Sequence, residues 1–374
     1  MIIAVNTRFL LEDHLEGVGY FIFETFKRIT NAHKEHQFVF IFDRPYDQRF
    51  IFSDNITPVM VGPPARHPLL WKYWYDVRIP AVLKKYKADV FVSVDGYCSL
   101  KTKIPQVMVV HDLAFLHYPS HSKKSHLRYF RRQMPKFLEK AKAIATVSEF
   151  SKKDIIEHYK IPAVKIDVVY SAAKEIFKPS GEKIKRETKN KYSDGKEFFL
   201  YVGAIHPRKN LLNLLKAFSV FKKRLKSSMK LVLVGRLAWK YESFIEKLKN
   251  YKHRDDVVML GYTDEQELAN IVGSAYALVY PSLLEGFGVP VLEAMQCETL
   301  VITSTNSSMQ EIAKEAALYA DPSSHEDIAE KMMRIYKDED LRNGLIEKGK
   351  SVSKEYSWDR TAGLLWKCIE KAME

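Results

Sequence analysis

Short β-branched runs alternate with longer stretches of helical period along most of the chain, the rhythm of parallel strands joined by helices. In the first half, apolar runs at 2–5, 37–42, 56–60, 89–93, 106–110, 143–147 and 166–169 predict strands, and helical periodicity covers 19–31, 70–86, 125–141 and 149–158. A second series follows: "FFLYVG" (198–203), "KLVLVG" (230–235), "DVVMLG" (256–261), "AYALVY" (275–280), "TLVITS" (299–304) and "AALYA" (316–320). Three of these runs end in glycine just before a loop or helix, which suits strand ends where a ligand comes close to the backbone. Between the two series, "KPSGEKIKRETKNKYSDGKE" (178–197) is nearly empty of hydrophobic residues and carries Gly, Pro and Ser, the composition of a linker. The expected architecture is α/β, with two doubly wound Rossmann-like domains facing across a cleft. Their expected bounds are 1–175 and 198–356, with a linker and lead-in at 176–197 and an amphipathic closing helix at 357–374.

Composition fits this division. A chain of 374 residues with 46% hydrophobic positions can fill two ordinary cores. The formal charge of +13 attracts phosphates, whether on nucleic acid, an anionic membrane face or a phosphorylated small molecule, and charge alone does not choose among them. Cys98, Cys297 and Cys368 are far apart, with neither the spacing of a disulfide framework nor that of a zinc site; a reducing cytoplasm fits. The first residues lack a signal-peptide pattern, and no stretch has the roughly 18 uninterrupted apolar residues of a membrane span. A cytoplasmic protein is expected, soluble or peripheral at the inner face of the membrane.

The stretch "SLLEGFGVPVLEAM" (282–295) sets Glu285 and Glu293 on either side of a glycine-bearing bend. Pro290 suits a helix start, so Glu285 falls in a loop at the carboxyl edge of the sheet and Glu293 in the first helical turn. Gly286 and Gly288 leave the backbone bare beside a helix amino terminus, where free N–H groups favour an anion. Two acids at such a seat make sense if they accept hydrogen bonds from sugar hydroxyls while N–H groups take a phosphate. Alone, the pattern is also open to a plain reading, a solvated loop acid and an acid complementing the helix dipole. A second element, "YVGAIHPRKNLLNLLKAF" (201–218), runs from a strand through Gly203 to Arg208 and Lys209, then to Asn210 as N-cap of an amphipathic helix. Two cations at a strand's carboxyl edge form a clamp for a diphosphate.

"HPRKN" followed by "PSLLEGFGVPVLEAM" resembles the retaining glycosyltransferases of the GT-B fold, in particular family 4 with its E-x7-E signature, and within it bacterial mannosyltransferases. "EGVGYF" (16–21), "VVHDLAF" (109–115), "ATVSEFSKKDI" (145–155) and "YSWDRTA" (356–362) occur in the matching order, so the resemblance spans nearly the whole length. It implies a nucleoside-diphosphate sugar donor on the second domain and a glycan or lipid-diphosphate-linked acceptor on the first. By matching positions, Arg208 and Lys209 neutralise the donor diphosphate and Glu293 accepts from the ribose hydroxyls. Glu285 touches the transferred sugar, and Phe287 and Gly288 present N–H groups to the sugar and phosphate. His111 reaches the same sugar from the first domain, and Gly17 to Gly19 form a loop approaching the diphosphate or acceptor. Tyr20 stands where many relatives carry arginine, which removes a cation there. Gly203 belongs to the donor-binding edge, and Tyr262 is a candidate for the base.

Fixed cations and helix N–H groups can stabilise the departing diphosphate without a metal, and no DxD-like pair suggests a divalent ion. Asp112 and Asp255–Asp256 read as loop and turn residues. The expected reaction is a retaining hexosyl transfer by same-face substitution, with GDP-mannose preferred as donor and no cofactor. In the resembled fold the last helix crosses back to the first domain; a plain terminal helix of the second is the other reading. Basic and aromatic residues interleave in 66–87 and 121–134, which suits an anionic membrane surface, although Trp71, Trp74 and Tyr75 also fit a core. The alternatives are an epimerase or phosphorylase of the same fold, and a basic nucleic-acid-binding protein, for which no RRM, KH or zinc-finger pattern appears.

Overall fold

The computed structural model describes residues 1–12 and 15–374. Two compact units emerge, Met1–Ser171 together with Ser357–Glu374, and Ala172–Tyr356. In the first unit seven strands form one sheet: β1 (Ile2–Asn6), β2 (Gln37–Phe42), β3 (Ile56–Met60), β4 (Val90–Ser93), β5 (Gln106–Val110), β6 (Ala143–Thr146) and β7 (Ile166–Val168). Their order is β3-β2-β1-β4-β5-β6-β7 and every adjacent pair is parallel. β4, β5 and β6 are buried at every position, which is why they read as unbroken apolar runs instead of alternating.

The helical pattern over 70–86 is one continuous rod in three parts: Pro68–Tyr73, a wider turn at Trp74–Arg78, and Ile79–Lys85. Trp71, Trp74 and Tyr75 face the core, at 6%, 0% and 1% exposure, so these aromatics do not supply a membrane surface. Their polar tips are satisfied inside: the indole N–H groups of Trp71 and Trp74 donate to the carbonyls of Ala65 and Val61 at 2.7 and 2.8 Å. The closing helix, Trp358–Met373, is capped by Ser357, whose hydroxyl accepts from the Arg360 N–H at 3.2 Å. It packs along the helix Gly17–Ala32, with Trp366 stacked on His33 at 3.6 Å. Lys371 adds an ion pair to Asp167 at 2.8 Å.

The second unit holds six strands: β8 (Phe198–Val202), β9 (Lys230–Val234), β10 (Val257–Gly261), β11 (Ala277–Tyr280), β12 (Leu300–Ser304) and β13 (Ala317–Ala320). They run in the order β10-β9-β8-β11-β12-β13, again all parallel. The stretch 178–197 differs from the expected linker, because Glu182–Ser193 is a helix within this unit. It packs on the helix Glu265–Ser274. Thr188 and Ser193 are its buried positions, so small polar residues took the place of the apolar stripe that periodicity looks for. Among the described residues, no helix is long and apolar enough to cross a membrane.

Candidate functional site

In a doubly wound sheet the strand order reverses at one point, and the loops leaving the two strands there splay apart to leave a crevice. In the second unit this point lies between β8 and β11, and the loops leaving these strands carry the cations and the first glutamate. A tight helical turn, Pro207–Lys209, follows β8. Lys209 Nζ donates to Glu285 Oε1 at 2.6 Å and to the Tyr280 hydroxyl at 2.7 Å, and sits 5.0 Å above the Tyr280 ring. Arg208 donates to the Leu284 carbonyl and lies 3.4 Å from Glu285 Oε2. The Leu283 N–H returns to the Arg208 carbonyl at 2.8 Å. Burial alone would raise the Glu285 carboxyl, but Lys209 and Arg208 outweigh it and hold the group at about 2.

Asn210 corrects one expectation. It is left-handed, with φ 63°, and makes no side-chain cap. Its amide instead donates to the carbonyls of Pro281 and Pro322 at 3.0 and 2.6 Å, tying the cationic turn to the Glu285 loop. That loop is also braced from the residues ending and following β12: Ser304 donates to the Ser282 carbonyl, Asn306 to Leu283, and Ser308 to both Glu285 and Phe287, at 2.6 to 3.1 Å. Nothing in the sequence pattern singled out these three residues, since short polar side chains after a strand resemble any turn.

The glycines have steric reasons. Gly288 has φ +95°, and a Cβ there would lie 2.4 Å from the Met309 methyl, so the start of the helix Val289–Gln296 stays bare. A Cβ on Gly235, after β9, would lie 2.0 Å from the Gly203 carbonyl oxygen, so the ends of these two parallel neighbours leave no room for a side chain there. Phe287 is buried, with its ring edge-on to Tyr356 at 5.8 Å. Glu293 is the fifth residue of its helix, past the first turn where it was expected. Burial raises its carboxyl to about 7, with Lys174 opposing and Glu265 adding to the rise. Lys174 Nζ lies 3.4 Å from Glu265. Tyr262 follows β10 with 63% of its surface exposed.

The comparisons with known proteins bear on this arrangement directly. The family "Glycosyltransferase Family 4" matches residues 16–173, and "Glycosyl transferases group 1" matches residues 182–352. O-antigen chain mannosyltransferase RfbU of Salmonella typhimurium is 32% identical over 68% of this chain and 67% of its own. The chain belongs to the group 1 and family 4 glycosyltransferases. O-antigen chain mannosyltransferase B of Escherichia coli is 26% identical over 92% of this chain and 93% of its own. Among solved structures, sucrose-phosphate synthase from Thermosynechococcus elongatus superposes with a TM-score of 0.79 at 17% identity, covering 99% of this chain and 98% of that one. The fold is GT-B.

In this glycosyltransferase the first unit has its own switch point, between β1 and β4, and a second buried ion pair occupies it. Arg8 Nε lies 2.5 Å from Asp95 and Arg8 Nη1 donates to the Ala65 carbonyl at 2.8 Å. The Tyr75 hydroxyl donates to Asp95 at 2.7 Å and accepts from Asn6 at 2.8 Å. Sequence reasoning missed Arg8 and Asp95, because single residues after strands carry no motif, and it read Tyr75 only as an aromatic of the core or of a membrane surface. His111 follows β5 one strand away; its Nε2 lies 2.9 Å from the Val94 carbonyl, next to Asp95 in sequence. Its ring meets Phe21 edge-on at 5.4 Å, and burial lowers its basicity. Gly17 and Gly19 open the helix Gly17–Ala32 and are not in a loop as expected. A Cβ on Gly19 would lie 2.5 Å from the Phe9 carbonyl, so that glycine allows the helix start to approach the segment after β1. Asp112 is a turn residue, accepting from the Ala114 N–H at 2.9 Å, and Asp256 pairs with Lys222 at 2.9 Å.

Proposed function

We propose that this glycosyltransferase moves a hexose, with mannose preferred, from a nucleoside diphosphate to a glycan or lipid-diphosphate-linked acceptor, retaining the anomeric configuration. GDP-mannose is the preferred donor, on the similarity to two O-antigen mannosyltransferases. The observation that carries the reading is the pair Arg208 and Lys209 held on Glu285 at the β8/β11 switch point. Two cations already paired with one carboxylate can pass to a diphosphate and release the carboxylate toward the sugar, with N–H groups of Phe287 and Gly288 as further donors. Glu293 takes the ribose hydroxyls, and Gly203 and Tyr262 lie along the donor edge. His111, Gly17 and Gly19 belong to the acceptor unit. Departure of the diphosphate is stabilised by these fixed charges without a metal or cofactor, and same-face substitution lets the donor's own phosphate oxygen take the acceptor proton.

An anionic membrane surface is the proposed partner of the first unit, as suits a lipid-linked acceptor; nucleic acid is not. On the helix Lys124–Lys140 and its N-cap, Lys123, Lys124, Arg128, Arg131 and Arg132 are exposed. The neighbouring rod exposes Leu69, Tyr73 and Val77, a basic and apolar combination that suits anionic lipid. The test of the reaction is incubation of the purified chain with GDP-mannose, UDP-glucose and other sugar nucleotides over a lipid-linked acceptor, with NMR of the product's anomeric proton. An α-linked product from an α-linked donor supports the reading; inversion, or release of free sugar from every donor with no transfer, overturns it.

A further inference from the structure

We propose that His117, Asp154 and His158, in the first unit, form a site for one divalent transition-metal ion of the zinc type. Asp154 and His158 stand four residues apart on the helix Glu149–Tyr159, so both project from one face. His117 ends the short helix Ala114–His117 and meets the Asp154 carboxylate from that separate element. His117 Nε2 lies 2.8 and 2.9 Å from the two carboxylate oxygens of Asp154. His158 Nδ1 lies 3.1 Å from Asp154 Oδ1 and 3.0 Å from the Asp154 carbonyl oxygen. One donor atom from each residue lies within 4.8 Å of the other two.

Two imidazole nitrogens and one carboxylate oxygen are a borderline donor set, suited to zinc, iron, nickel or copper and not to magnesium or calcium. Donors bound at about 2.0–2.1 Å to a tetrahedral ion stand roughly 3.4 Å apart, so the two short spacings need to open by only about half an ångström. Binding gives up the His117–Asp154 hydrogen bond and the His158–carbonyl bond and forms three coordinate bonds, one from each residue. The protons that His117 Nε2 and His158 Nδ1 donate must first leave those nitrogens, passing through solvent to the other nitrogen of a neutral ring or being released to solvent from an imidazolium. The acid is buried while the histidine side chains are 31% and 40% exposed, which gives an ion a route in and leaves a fourth position for water.

The other histidine cluster, His33, Glu35 and His36, fits an ion less well. His33 is stacked on Trp366, Glu35 is 62% exposed, and the amino terminus lies 3.4 Å from His36 Nδ1. The proposed ion is structural and takes no part in sugar transfer. His117 lies six residues beyond His111, and Ser151, on the same helix as Asp154, donates to the His111 carbonyl at 3.4 Å. An ion at His117 therefore fastens the His111 segment to that helix at a second point.

The full chain, stripped with a chelator and free of donor and acceptor, is titrated with Zn2+ by calorimetry and with Co2+ by visible absorption. The expected result is one equivalent bound, with affinity falling at least about ten-fold in His117→Asn and in His158→Ala, and unchanged in His36→Ala. A Zn2+-induced rise in Tm disappears in His158→Ala, whose ring is 40% exposed. Absence of saturable Zn2+ binding, unchanged affinity in both variants, or loss only in His36→Ala overturns the proposal and leaves the three residues as a hydrogen-bonded tether. Because no sugar nucleotide is present, the result is independent of the proposed transfer reaction.

Discussion

Lys209 Nζ stands 2.6 Å from Glu285 Oε1, joining the loop after β8 to the loop after β11 by a buried ion pair. Each group compensates the other's desolvation. Replacing Arg208 and Lys209 together by alanine is expected to reduce transfer below detection, because both proposed counter-charges of the diphosphate are lost. The double variant's circular dichroism should remain native; retained turnover removes the clamp from the mechanism.

The two glutamates are expected to fail differently. Glu285 is the counter-ion of the cations in the structure, and in the proposed reaction it faces growing positive charge on the sugar. Glu285→Gln should lower kcat by about ten-fold or more, equivalent to about 1.4 kcal/mol, while nucleoside diphosphate binds more tightly because its rival for Lys209 is weakened. Glu293→Gln should mainly raise the donor KM. Initial rates at varied donor and calorimetry with GDP and UDP check both, and identical defects in the two variants reject the division.

The two carboxyls also give opposite pH dependences. Glu293 is raised from 4.5 to about 7, by burial first, so the folded chain holds a proton that the unfolded chain has released between those values. Its contribution is fully present below 4.5 and is lost as pH rises toward 7, by up to about 3 kcal/mol. Glu285, lowered to about 2, contributes above 4.5 and loses that contribution as pH falls toward 2. Glu293→Gln should therefore gain Tm relative to the parent between about pH 5 and about pH 8. A difference constant across that range refutes the assignment.

Asp95→Asn leaves the Arg8 guanidinium buried without its charge partner, and a loss of about 3–5 kcal/mol is expected. Urea unfolding measures it; an unchanged midpoint would mean that Arg8 finds another counter-charge.

Sedimentation with anionic vesicles tests the basic surface of the first unit. Binding should weaken as salt rises and should fall when Arg128, Arg131 and Arg132 are replaced together by glutamine. Equal sedimentation with neutral vesicles rejects the proposed membrane partner.

The sequence by itself determined the strands and most of the helices, because strands buried on both faces must be apolar throughout and amphipathic helices must repeat near 3.6 residues. It also grouped Arg208, Lys209, Glu285 and Gly288, but only through the order of the motifs taken together, since the glutamate and glycine pattern alone fits a plain loop and helix start. It misplaced what depends on neighbours. Asn210 was a plausible N-cap by type, yet its amide found two proline carbonyls more than seventy residues away. The helix Glu182–Ser193 lacked an apolar stripe because its buried positions are Thr188 and Ser193. Trp71, Trp74 and Tyr75 read equally well as surface or core until their N–H and hydroxyl groups met partners inside. Arg8 with Asp95, and His117 with Asp154, join residues 87 and 37 positions apart. Side-chain pairing across such separations leaves no local period or motif; only the parallel sheet order, which sets which strand ends become neighbours, decided it.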